Sequence, residues 1–183
     1  MLSLVTGLTS VDLSASTSIA SNGMSETFYD CTGLTIVDLS SVTSIGSSGL
    51  YYAFRGCTSL TSIYLSALTS LASNGMTGAF RNCAGLTSID FPALTSVGSN
   101  SFQSAFFGCT GLENVYFRAL TTTSFGTYKN QFSNMLGNTG TTKTHTLHFP
   151  SNLESKISAL TGYPIFGGTS GYVVCAFDLP ATS

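Results

Sequence analysis

Apolar side chains return along this chain at fixed offsets of 26 residues. Leu8, Leu34, Leu60, Leu86 and Leu112 form one column, Phe28, Phe54, Phe80, Phe106 and Phe132 a second, and Cys31, Cys57, Cys83 and Cys109 a third. Self-similarity at such a period means a solenoid, in which each unit buries its apolar face against its neighbours. The unit from Gly85 to Thr110 contains two periodicities. Leu86, Ile89 and Phe91 are the apolar positions of an extended stretch, with Ile89 and Phe91 on one face, as in a parallel-sheet rung. Leu94 and Val97 form a further apolar pair before a turn signal of Gly, Ser and Asn. Phe102, Phe106 and Cys109 then follow at spacings of four and three, which predicts a helix of about two turns. Gly111 stands two residues beyond, where a left-handed helix-ending residue is favoured.

Strands stack about 4.8 Å apart and helices about 10 Å apart, so a stack of such units must bend. The expected fold is therefore an α/β solenoid, curved, with a parallel β-sheet on the concave side and short helices on the convex side, in five to six rungs. On the diverging helical side the cysteines lie beyond the roughly 7 Å reach of a disulfide. They read as buried thiols that pack like small apolar residues, a place Met135 takes in the next unit. Thiols in a line along an axis do not surround one tetrahedral ion, so no metal and no cofactor is expected.

Regularity fails after Phe132, where SNMLGNTGTTKT inserts about six residues before Leu147 and Phe149 resume the strand pattern. The array is assigned to residues 1–150 and a C-terminal capping segment, helix plus strand, to 151–183. In that segment Ser151 and Glu154 form a capping-box pair, Leu153, Ile157 and Leu160 share one helical face, and Tyr172–Leu179 reads as a last strand. Cys175, without a partner in repeat phase, reads as another free thiol. At the other end Leu2, Val5 and Gly7 fall 26 residues before Phe28, Cys31 and Gly33, so the chain starts inside a unit. Upstream repeats, or the worn remnant of one, account equally for that start.

Of 183 residues, 43% are apolar and only 8% charged, with a net charge of −2. Ser, Thr, Gly and Asn make up the surface instead. Six scattered basic residues give no footprint for nucleic acid or anionic lipid, and no apolar run reaches the roughly 20 residues of a membrane-spanning helix. No nucleic acid partner and no membrane insertion are expected, and binding should depend little on salt. No G-x-S-x-G turn or comparable nucleophile setting occurs, so the chain does not read as an enzyme and no catalytic residue is assigned. His145 and His148, three apart on a strand, face opposite sides and read as separate surface histidines.

The pattern LTSIxLxxLTSIGxxxxxxAFxxCTGL, seen in GLTSIDFPALTSVGSNSFQSAFFGCTGL and SLTSIYLSALTSLASNGMTGAFRNCAGL, closely resembles the BspA-like, or Treponema-type, leucine-rich repeat. The family's usual unit is shorter by about one helical turn. HFPSNLESKISALTGY more loosely resembles the segment that closes such arrays in gut bacteria and their phages. The resemblance implies recognition without a reaction. Family members occur mainly on bacterial surfaces and in proteins held to attach to host or neighbouring molecules, and some are phage-encoded. The implied location is extracellular or at the cell surface, or a virion tail.

A ligand would meet the outward columns of the concave sheet. The most variable is Asp12, Asp38, Tyr64, Asp90, Tyr116 and His148, beside Ser14, Ser40, Ser66, Pro92, Arg118 and Pro150. Variation on a constant frame is the form recognition surfaces take. The candidate site is Tyr64, Asp90, Tyr116, Arg118 and His148, two aromatic faces with polar donors around them. Simple solvation of an exposed sheet is the plain alternative. On the helical side Tyr29, Arg55, Arg81 and Phe107 form a column that reads as solvated surface or as contact with a neighbouring subunit. Three functions compete: a bacterial surface module binding a host or bacterial protein or glycan, the same module on a phage tail or fibre, and a structural spacer. The last would stack head to tail through the N-terminal rung, whose backbone is unpaired.

Overall fold

A computed structural model describes residues 5–121, 135–136, 145–155 and 173–180. Each unit contributes one main strand: β1 (Ser10–Asp12), β3 (Ile36–Asp38), β5 (Ser62–Tyr64), β7 (Ser88–Phe91) and β9 (Asn114–Phe117). β10 (His145–Pro150) and β11 (Val173–Leu179) continue the series. A shorter strand follows in the first four units: β2 (Ser18–Ile19), β4 (Ser44–Ile45), β6 (Ser70–Leu71) and β8 (Ser96–Val97). Every pairing is parallel. The main strands run in the orders β1-β3-β5 and β7-β9-β10-β11, the two groups adjoining at β5 and β7, and the second sheet runs β2-β4-β6-β8. Register follows the repeat, with Val37 beside Val11 and Ile63, and Val115 beside Ile89 and Leu147. The result is a parallel-strand β-solenoid of about five turns.

The helices expected on the convex side of the repeats are absent from the described residues. The third side of each rung is a run of tight turns, closed locally by N–H to C=O bonds three residues back, such as Gly49 to Gly46, Tyr51 to Ser48, Ala53 to Leu50 and Cys57 to Phe54. Alternate residues donate instead to the next rung: Ser48, Leu50, Tyr52, Phe54 and Gly56 reach the carbonyls of Ser73, Gly75, Thr77, Ala79 and Arg81 at 2.8–3.1 Å. Alternate turns need a positive φ at their third residue, and every fourth residue supplies one, for example Asn74, Gly78 and Asn82 at φ 59°, 60° and 62°. Neighbouring rungs are thus hydrogen-bonded on the turn side as well as the sheet side. The helices that were to act as a wedge between rungs are missing from the described residues. Stacked Phe28, Phe54, Phe80 and Phe106 rings on the turn side lie 5.3, 5.6 and 5.7 Å apart, against 5.2 Å for Phe91, Phe117 and Phe149 on the sheet side.

This geometry corrects three further expectations. Gly111 is no helix terminator: it lies so close to the preceding rung that a Cβ would collide with the Ala84 carbonyl. Cys31, Cys57, Cys83 and Cys109 are free and buried, but rung divergence does not keep them apart. Each thiol is engaged one rung back, Cys57, Cys83 and Cys109 donating to the carbonyls of Phe28, Phe54 and Phe80 at 3.2, 3.1 and 2.9 Å. Burial pushes the Cys57 and Cys109 thiols up to about 12, and Cys175 to about 11. Finally, Phe106 N–H reaches the Met135 carbonyl, where earlier rungs use an Ala such as Ala105, so Met135 holds the alanine position and not the cysteine position. Buried Leu136 then takes the phenylalanine place, and only part of the insertion precedes it, because Met135 lies 30 residues after Ala105 while Leu147 lies 32 after Val115. Phe132 lies outside the described residues.

Of the C-terminal segment, Ser151–Leu153 forms a 3-10 turn flanked by Pro150 without a side-chain cap, and residues 154–155 continue as helix. Ile157 and Leu160 lie outside the described residues. β11 adds one strand to the main sheet, its Cys175 level with Leu147.

Candidate functional site

The outward positions of the main sheet divide into two regimes. Asp12 and Asp38 end their strands by accepting the N–H of Ser14 and Ser40 at 2.9 and 2.8 Å, an Asx turn. Hydrogen bonds from the Ser14 hydroxyl and N–H hold the exposed Asp12 carboxyl below its usual range. These two aspartates complete the fold. In the fourth rung Pro92 replaces that serine and has no N–H to give. The Asp90 carboxylate turns instead to Arg118, whose Nε donates to both oxygens at 2.8 and 3.0 Å.

Arg118 also lies over Tyr116, its guanidinium carbon 4.8 Å from the ring centroid. His148 from the next strand stacks on the same tyrosine, centroids 4.3 Å apart and planes within 18°. Its Nδ1 donates to the Asp178 carboxylate of β11 at 2.9 Å, and its Nε2 lies 3.0 Å from the Asn114 amide oxygen. Parallel strands two residues deep in one register therefore bring Asp90, Arg118, Tyr116 and His148 into one chain of contacts. Tyr64, half exposed at 50%, stands on the adjoining strand β5. Among the described residues no hydrogen bond, ion pair or ring contact ties it to the other four.

Asn114 and Asp178 belong to the cluster and are not among the sequence-derived candidates. Asn114 had a signal: the fifth unit reads LENV where the consensus has LTSI, placing Glu113 and Asn114 in Thr and Ser columns. Asp178 had none, because β11 lies outside the repeat phase. His145 is not the surface residue expected. It is 2% exposed, with Nδ1 2.6 Å from the Leu112 carbonyl. It does face away from His148, as a separation of three on a strand requires.

The cluster offers a flat aromatic edge, a guanidinium held in place by a carboxylate, and an imidazole fixed at both nitrogens. Such groups bind by stacking and hydrogen bonding. The His148–Asp178 pair has the form of a base with its orienting acid, but the imidazole nitrogen that would face a hydroxyl faces the Asn114 amide. Among the described residues no group of three or more His, Cys, Asp or Glu is placed to hold a metal ion, and no helix is long and apolar enough to cross a membrane.

A family model for the BspA type leucine rich repeat region matches residues 24–155 in six copies. No curated protein and no solved structure matches the chain. With most of its length covered by that model, and with one rung of parallel sheet for each repeat, the chain belongs to the BspA-type leucine-rich repeat family.

Proposed function

We propose that this chain is a non-catalytic recognition module of a bacterial surface protein, which binds a protein or a glycan on the outer face of its main sheet. The family's repeats are interaction modules typical of surface proteins. One observation carries the placement. The outward columns keep to Asp and Ser for two rungs, then bring in Tyr64, Tyr116, Arg118 and His148 while Asp90 keeps its aspartate and turns it to Arg118; Asp90, Arg118, Tyr116 and His148 touch in sequence. A frame that serves equally well with serine has no structural need of that change. Tyr116 is the centre of the site, braced by Arg118 and His148. Tyr64 supplies a second exposed ring toward the earlier rungs.

The test is a binding screen of the whole chain against arrayed glycans and surface proteins from host mucosa and from gut bacterial envelopes. Tyr64→Ser and Tyr116→Ser should together weaken any hit by at least about tenfold, the usual scale for a buried aromatic anchor. Host-side hits assign an adhesin, and envelope hits assign a phage tail or fibre. Unchanged attachment by a folded double variant removes the site from the outer face.

A further inference from the structure

The turn side carries a group that the sheet face does not use. Residues 29, 55, 81 and 107 hold one position in four successive rungs, and they read Tyr29, Arg55, Arg81 and Phe107. Backbone hydrogen bonds of 2.8 Å from Asp30, Gly56 and Asn82 to the carbonyls of Arg55, Arg81 and Phe107 keep them in line. The Arg55 guanidinium carbon lies 5.1 Å from the Tyr29 ring and 5.6 Å from Tyr52, and that of Arg81 lies 4.1 Å from Phe107. Two arginines are thus set on consecutive rungs about 4.8 Å apart, in a chain with only six basic residues.

Like charges directly opposite one another destabilise a ladder. Among the described residues neither arginine has a carboxylate partner, for Asp30 lays its carboxylate against Gly56 instead. Arg81 Nε is buried with no hydrogen-bond partner, so the hold on this guanidinium within the fold is its stacking on Phe107. A separate cost is stored beside the pair. Tyr52 is held at φ 49°, a left-handed conformation that bulky side chains rarely adopt, where other rungs have Glu26, Gly78 and Ser104. Its ring lies across Gly78, whose missing Cβ makes the room, and meets Tyr51 edge to face at 4.6 Å.

We propose that Arg55 and Arg81, framed by Tyr29, Tyr52 and Phe107, bind one oxyanion of an acidic saccharide, a sugar carboxylate or sulfate, on the turn face. The aromatic rings hold each guanidinium flat, so its N–H edge is presented without further ordering. A bound oxyanion accepts from both forks and cancels the repulsion between them. Partly exposed tyrosine rings at the same spot suit the apolar face of a sugar. The site is independent of the sheet-face reading.

The experiment is equilibrium binding of the full chain to a chondroitin sulfate tetrasaccharide, a hyaluronan tetrasaccharide, neutral chitotetraose and an oligoglutamate peptide, at low salt. The acidic sugars should bind, and the hyaluronan arm shows whether carboxylate alone suffices. Arg55→Gln with Arg81→Gln should lower affinity at least about tenfold. Arg81→Lys, which keeps the charge and loses the fork, should fall between. Thermal unfolding checks that each variant is folded. No binding by the folded wild type, full binding by the double variant, or equal binding of oligoglutamate overturns the proposal. So does loss of saccharide binding on Tyr64→Ser, which would assign it to the sheet face.

Discussion

Raising the pH from 8 to 10 should weaken this fold, and replacing Cys109 by alanine should remove a definable part of that loss. Cys109 is fully buried and donates its proton to the Phe80 carbonyl at 2.9 Å. Burial pushes its thiol from 9.0 up to about 12. Below pH 8 the folded and unfolded chains both keep the proton, and stability does not depend on it. Above pH 9 the unfolded chain releases the proton and the folded chain holds it, so stability falls as pH rises, until the folded thiol itself titrates near 12. The loss from this one group is about 1 kcal/mol at pH 10. Cys83, raised by the same cause, adds to the slope. Urea unfolding of wild type and Cys109→Ala at pH 8 and pH 10 reads the difference, because tyrosine and lysine titration is common to both. The variant should start about 1–2 kcal/mol less stable at pH 8, from the lost hydrogen bond and the small cavity. It should then lose about 1 kcal/mol less than wild type on going to pH 10. Equal losses in the two proteins would refute the buried thiol ladder.

Phe80 stacks between Phe54 and Phe106 with no exposed surface. Phe80→Ala should cost about 3–5 kcal/mol in denaturant unfolding. Gly78→Ala places a side chain at φ 60° and against the Tyr52 ring, so it should cost about 1–2 kcal/mol. In a Tyr52→Gly background that cost should fall by about 0.5–1 kcal/mol, and a double-mutant cycle measures the coupling. Arg118→Ala breaks an ion pair whose side chains are 44% and 41% exposed. Its effect on thermal stability should stay under about 1 kcal/mol, while any ligand of the sheet face should be lost.

The sheet was legible because alternation leaves little choice: Val11, Val37, Ile63, Ile89 and Val115 can only be the inward column of one strand per unit. The turn side was not, because Phe102, Phe106 and Cys109 at four and three fit a helix and a chain of four-residue turns alike. The contrary signal lay in the polar residues. Asn74, Gly78 and Asn82 stand four apart, as do Asn100, Ser104 and Gly108 in the next rung, and asparagine and glycine are the residues that most readily accept positive φ. No helix asks for them there. At the site, column variation singled out Tyr116, Arg118 and His148, since a repeat displays its own exceptions. It could not show that Pro92 frees Asp90 for Arg118, nor reach Asp178, whose strand has no repeat to deviate from.

On the turn side the backbone bonds between alternate residues of neighbouring rungs all have the same sense. N–H groups of one rung point toward the C-terminal end and meet carbonyls that point back, five times at each of three successive junctions. In the strands such dipoles largely alternate and cancel, but here they add. The solenoid therefore carries a macrodipole along its axis, with the partial negative charge at the first rung and the partial positive charge toward the last, opposite in sense to an α-helix of the same direction. Each further repeat lengthens that dipole. Cations are favoured at one end of the stack and anions at the other, in a chain whose side chains are nearly uncharged.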